Sequence, residues 1–169
     1  ERIWNAKLEL DLFSDNNIDW KELESNIGSP NHHQIANEIA NKSITIVKDD
    51  KDLIPLNPEK IKKITHLILS LDDGANDVLK PFHNSINRVH DNVDKLFINN
   101  KLSKLRINEI VSDISDSDMV IVSLLVRIRM DKGIATIDNS HAELLDTMHS
   151  KGVKFITVSF GSPYLPSYS

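Results

Sequence analysis

Residues 119–130 read MVIVSLLVRIRM, and the fold turns on this stretch. Met119 to Val126 is apolar except at Ser123, a run too short to cross a membrane and rich in β-branched side chains. Such a run suits a strand covered by helices on both faces, as in a parallel sheet. Within a few residues the character changes to Arg127, Arg129 and Asp131, ahead of Lys132-Gly133. Ligands of open α/β sheets gather at the carboxyl ends of strands, so this exit is where a site is first sought. The competing reading is a central strand followed by an ordinary solvated loop.

Outward from this strand, the chain alternates. Residues 65–71 form a second buried strand emptying into Asp72-Asp73-Gly74, and 95–98 and 153–160 are two more. A fifth strand is expected at 43–48, followed by an extended piece at 53–56, because a residue before proline avoids the helical region. Helical spacing appears at 81–93 (Phe82, Ile86, Val89, Val93), at 103–114 (Ile107, Ile110, Val111, Ile114) and at 140–150 (Leu144, Leu145, Met148). Gly152 stands where a left-handed helix cap would fall. Ser29-Pro30 opens another helix, a capping hydroxyl followed by proline at the first helical position. This alternation predicts an α/β fold: a three-layer α/β/α sandwich around a mostly parallel sheet of about five strands. Domain boundaries are expected at 1–28, a helical lead-in, and 29–169, the sandwich.

The lead-in begins ERIWNAKLELDLF, with Ile3, Trp4, Leu8, Leu10, Leu12 and Phe13 spread over more than one helix face. So wide an apolar surface calls for partners on two sides. A second short helix follows at 18–27.

Composition narrows the function. The 169 residues are 40% apolar and 27% charged, with a net charge of −5. Lys and Arg are scattered among acids, unlike the concentrated basic face that tracks phosphates, so no nucleic-acid partner is expected. Nor is a membrane span, since no stretch reaches the roughly 18 apolar residues required. The chain has no cysteine, which removes thiol nucleophiles and Cys-based zinc sites. It opens at Glu1 with no methionine, as a mature or excised chain would.

Motif chemistry is sparse. Gly161-Ser162-Pro163 follows a strand but lacks the flanking glycines of a nucleophile elbow. Neither glycine-rich phosphate motif occurs, and no cofactor is expected. Asp72-Asp73 resembles the acidic pair of phosphotransfer receiver domains. The next strand ends in Ile98-Asn99-Asn100, where that pattern would place a single aspartate, and solvated turn acids are the better reading. His32-His33, His83 with His90, and His141 with His149 show no ligand spacing. All seven histidines are read as surface or cap residues, and no metal is expected.

Three stretches together resemble the C-terminal domain of glycoside hydrolase family 3, most closely its N-acetylhexosaminidase branch. They are residues 36–56, ANEIANKSITIVKDDKDLIPL; residues 126–137, VRIRMDKGIATI; and residues 153–165, VKFITVSFGSPYL, the most specific. Residues 1–13 also resemble the family's linker helix. The resemblance implies a non-catalytic accessory domain whose partner, the (β/α)₈ catalytic barrel of roughly 250 residues, lies outside this chain. It implies a carbohydrate substrate met only through the parent's site, with Arg127, Arg129 and Asp131 as candidate substrate-binding residues on its rim. Some family members carry a catalytic Glu in the loop after the central strand. Residues 127–133 contain none, so no catalytic residue is assigned and the isolated chain is expected to be inactive. The resemblance further implies an extracytoplasmic setting and a domain truncated at its C-terminus. The alternative, from a different class, is an autonomous module binding a glycan or peptidoglycan fragment. Without the barrel, the first helix is expected to be mobile or to form a homodimer.

Overall fold

The computed structural model describes residues 1–14, 19–126 and 137–161. The chain divides into two compact units, Glu1–Val47 and Lys48–Ser169.

The first unit contains α1 (Arg2–Glu9), α2 (Trp20–Asn26) and α3 (Pro30–Ser43). The Asp19 carboxylate caps α2 by accepting from the backbone N–H of Lys21 and Glu22. Ser29 caps α3 through His32 N, with Pro30 in the first turn. No described residue of this unit is buried. The strand expected at 43–48 does not form: Ser43 closes α3, and Ile44, Ile46 and Val47 are exposed without a ladder. Alternation makes a strand only where another strand supplies the missing hydrogen bonds, and none lies beside it among the described residues.

The second unit is built from β1 (Ile64–Leu69), α4 (Ala75–Val78), α5 (Lys80–Val89), β2 (Val93–Ile98), α6 (Lys104–Asp113), β3 (Met119–Val126), α7 (Asn139–Ser150) and β4 (Phe155–Gly161). Its strands form one parallel sheet in the order β2-β1-β3-β4. The described residues therefore hold four strands rather than about five. Every residue of β1 is buried, as are Met119 to Leu125 of β3. That is what the apolar run at 119–126 requires of a central strand.

Alternation sorts the side chains into layers. Leu67, Leu69, Val120, Val122 and Leu124 meet Ile107, Ile110 and Val111 of α6 and Leu144 and Met148 of α7. The opposite face carries Ile64, Ile68, Met119, Ile121 and Leu125, packed on Ala75 of α4, Leu79, and Phe82 and Ile86 of α5. These are the two helical layers of an α/β/α sandwich. At the amino edge, the Asp118 carboxylate accepts from the backbone N–H of Lys62 and Lys63, which pins the start of β1 to that of β3. Those two bonds, foremost, hold the Asp118 carboxyl below the usual carboxylate range.

One boundary differs from the periodicity. Val93 continues the helical spacing of Phe82, Ile86 and Val89, yet α5 stops at Val89 and Val93 opens β2 opposite Ile64. His90 is extended (φ −143°, ψ 130°), and its ring bonds the Ile61 carbonyl. The ladder with β1 outweighs one more exposed turn of helix.

Leu67→Ala removes a fully buried side chain from the larger core, and the expected loss is about 3 kcal/mol. Leu105→Ala on the outer face of α6, where Leu105 is 73% exposed, should stay within about 0.5 kcal/mol. Paired urea titrations measure both.

Candidate functional site

The sheet order makes a switch point. From β1 the chain moves outward to β2, crosses back through α6 to β3, and continues to β4. The carboxyl ends of β1 and β3 flank the crevice where ligands of such sheets bind.

Ser70 ties the two exits together. Its hydroxyl, buried, donates to the Leu125 carbonyl at 2.6 Å and accepts from Asp72 N at 3.1 Å. Asp72 folds the next turn by accepting from Gly74 N at 3.0 Å. Asp73, exposed, accepts from the Asn99 side-chain amide at 3.0 Å, which joins the exits of β1 and β2. Both acids thus shape turns, as their sequence context predicts.

The start of α7 is fixed to the exit of β2. Leu102 N donates to the Ser140 hydroxyl, and Ser140 Oγ and N both donate to Asp138, the N-cap, at 2.6 and 2.9 Å. The Ser140 hydroxyl is the main reason the Asp138 carboxyl lies below its ordinary range. His141 reaches the Asn100 carbonyl through Nε2 at 3.0 Å, and so carries its proton there. At the exit of β4, Gly161 has φ +127°, and a Cβ at that position would stand 2.7 Å from the Val126 carbonyl oxygen. Glycine is demanded at this point by the close approach of β3, not by a nucleophile elbow.

Arg127, Arg129 and Asp131, together with Ser162, lie outside the described residues. The histidine reading needs correction. His66 and His141 are buried, fully or nearly so. His66 sits mid-strand on β1, with Nε2 at 2.8 Å from Ser123 Oγ of β3 and Nδ1 at 3.1 Å from His83 Nδ1 of α5. A polar residue centred in an apolar strand was the available signal; linear spacing does not reveal its partners. This serine–histidine contact is no nucleophile–base pair, since Ser123 and His66 are both 0% exposed and the ring is held through Nδ1 by His83, not by a carboxylate. Among the described residues, no group of three or more His, Asp or Glu side chains is placed to hold a metal ion. The described edge is therefore a rigid, acceptor-rich frame, with its acids engaged in turns and caps.

No family model matches the chain. A curated beta-xylosidase of Formosa agariphila is 40% identical over 65 residues, 37% of this chain and 9% of that protein. Among solved structures, a fungal multi-domain GH3 beta-N-acetylglucosaminidase matches 87% of this chain and 15% of its own, with TM-score 0.59 and 18% identity. Beta-glucoside phosphorylase BglX matches 94% of this chain and 28% of its own, with TM-score 0.62 and 21% identity. The fold is shared with part of these longer chains. The resemblance to a family 3 C-terminal domain is met at the level of fold, and its hexosaminidase branch is not separated from the others.

Ser70→Ala strands the buried Leu125 carbonyl, and a loss of about 1–3 kcal/mol is expected. Gly161→Ala imposes both strain and a backbone clash, and a loss of about 1–3 kcal/mol is expected there as well. Thermal unfolding of each variant beside the wild type checks them.

Proposed function

We propose that this chain is the accessory C-terminal domain of a family 3 glycoside hydrolase of the beta-N-acetylhexosaminidase kind, which acts by packing on a catalytic barrel of its parent protein. The observation that carries the reading is the shared fold: 87–94% of this chain superposes on only 15–28% of each neighbour. The sequence stretches at 36–56, 126–137 and 153–165 support the branch, and one of the two neighbours is a beta-N-acetylglucosaminidase. Arg127 and Arg129, which follow β3 directly in sequence, serve the rim of the parent's site by charge; Asp131 is the nearest carboxylate in the sequence. The acids of the described edge are committed to turns and caps, which suits a frame rather than a proton donor.

The packing surface is the helical unit. Ile3, Trp4 and Leu8 are 74%, 61% and 64% exposed, and Leu10, Leu12 and Phe13 are exposed beside them. A monomer rarely leaves so much contiguous apolar surface in water. A second reading, a glycan-binding module, draws on the exposed Trp4 and Phe13 rings, stacked with centroids 5.2 Å apart, and on exposed Trp20.

The isolated chain should not turn over aryl N-acetylglucosaminides; turnover abolished by Asp131→Ala would overturn the proposal. In the barrel-bearing parent, Arg127→Ala or Arg129→Ala should lower kcat/KM, while the stability of this domain changes by less than about 0.5 kcal/mol. Isothermal titration with chitooligosaccharides and muropeptides separates the second reading, which requires saturable binding to the isolated chain. In sedimentation, the isolated chain should either self-associate through residues 1–13, with Trp4→Glu and Leu8→Glu restoring the monomer, or run as a monomer whose first helix is unprotected. A strictly monomeric wild type with a protected first helix would remove that surface from the argument.

A further inference from the structure

The hydrogen-bond chain from α5 through β1 to β3 is outside everything the accessory role requires. Asn87 Nδ2 stands 3.0 Å from His83 Nε2, the two Nδ1 atoms of His83 and His66 are 3.1 Å apart, and His66 Nε2 meets Ser123 Oγ at 2.8 Å. The two imidazoles stack at 5.2 Å with 14° between their planes, and Phe82 packs edge-on to His66. Each link fixes the next. An amide N–H donated to His83 Nε2 leaves the His83 proton on Nδ1. His66 Nδ1 must then accept, so the His66 proton sits on Nε2, directed at Ser123. The contact between the Nδ1 atoms works only with one N–H and one lone pair.

A proton added to His66 ends that complementarity, because two N–H groups then face each other across 3.1 Å. The surroundings offer no relief. From β2 the ring faces Lys95, its register partner; from β3 come Ile121 and Ser123; from α5 come Phe82, His83 and Asn87. Asp94, the nearest acid along β2, lies on the other face and pairs with Lys63. No carboxylate among the described residues faces the pair.

We infer that α5 is an acid-released latch: the neutral His66–His83 pair holds it on the sheet, and protonation lets it open ahead of the rest of the sandwich. The apolar groups between α5 and the sheet, Phe82 and Ile86 on the helix with Ile64, Met119 and Ile121 on the strands, form a smaller buried set than the core under α6 and α7. The pair is the side-chain hydrogen bond that joins α5 to β1 beside them.

Burial first, then the neighbouring His83 and Lys95, bring His66 down to about 4 from 6.5, and burial followed by Lys95 lowers His83. The sign follows. An opened α5 returns His66 to its ordinary affinity for protons, so the open state binds more protons between pH 6.5 and about 4. Latching is complete above this window and is lost as pH falls through it.

Hydrogen exchange on the full 169-residue chain, corrected for intrinsic rates, tests this at pH 7 and pH 4.5. Protection of α5 should fall on the order of 50-fold, while α7 keeps most of its own. Histidine ring NMR should show His66 as the Nε2–H tautomer, titrating well below the ordinary value. Lys95→Gln, an exposed site that leaves the core intact, removes the facing cation, raises the titration of the latched His66 and should make the fall in α5 protection at pH 4.5 smaller. An ordinary His66 titration, or equal loss of protection in α5 and α7, or a loss of α5 protection at pH 4.5 that Lys95→Gln leaves undiminished, would overturn the latch.

Discussion

The pairing of β1 with β3 is the constraint on which the rest depends. Both strands are buried on both faces, so their backbone groups have no access to water and must satisfy each other in register from Ile64 opposite Met119 to Leu69 opposite Leu124. Asp118 fixes the register at the amino end and Ser70 at the carboxyl end. A slip by one residue would carry His66 into the dry layer beneath α6 and α7 and turn Leu67 toward α5. The polar line His66–Ser123 therefore acts as a second register key: it is satisfied on one face only.

The two helical layers are unequal in kind. Beneath α6 and α7 the packing is mainly apolar, with Leu67, Val120, Val122, Leu144 and Met148 fully enclosed, and the buried polar groups there, Thr65 and His141, bond Ser117 and the Asn100 carbonyl. Beneath α5 the sheet presents a histidine and a serine in its two central strands, and these are tolerated because each ring nitrogen and the hydroxyl find partners. Such an arrangement costs conformational tolerance. The dry face accepts conservative apolar exchange, whereas the other depends on proton positions.

Most of the sandwich was legible because burial on both sides writes itself as unbroken apolar runs, as at 119–126, and one-sided burial as helical spacing, as at Ile107, Ile110, Val111 and Ile114. The errors lie where periodicity was right and context decided otherwise. Val93 fits the helix before it and the ladder beside it equally well, and the ladder wins. Residues 44–47 alternate like a strand with no strand to join. The short α4 left no pattern, having only four residues. For the site, Arg127, Arg129 and Asp131 could be placed at a strand exit from sequence, but the tie from Ser70 to Leu125 spans 55 residues. The histidine chain joins residues 17 and 57 positions apart. Contacts of that separation exist only after topology has brought three elements together.

The helical unit poses the opposite problem. Its helices are capped by Asp19 and Ser29 and punctuated by Gly28 at φ +69°, all local devices. Local devices contribute about 1 kcal/mol each, while isolated helices shorter than about 12–15 residues are marginal in water. α3, with 14 residues, is at that limit, and α1 and α2, with 8 and 7, fall below it. Helical order in a protein comes chiefly from an apolar face set against something, and no described residue here is buried. Sequence that spends Ile3, Trp4, Leu8, Leu10, Leu12 and Phe13 on so short a segment pays off only when a partner covers them. Under the proposed accessory role a barrel would supply that cover, and the order of these helices would then belong to the assembled parent.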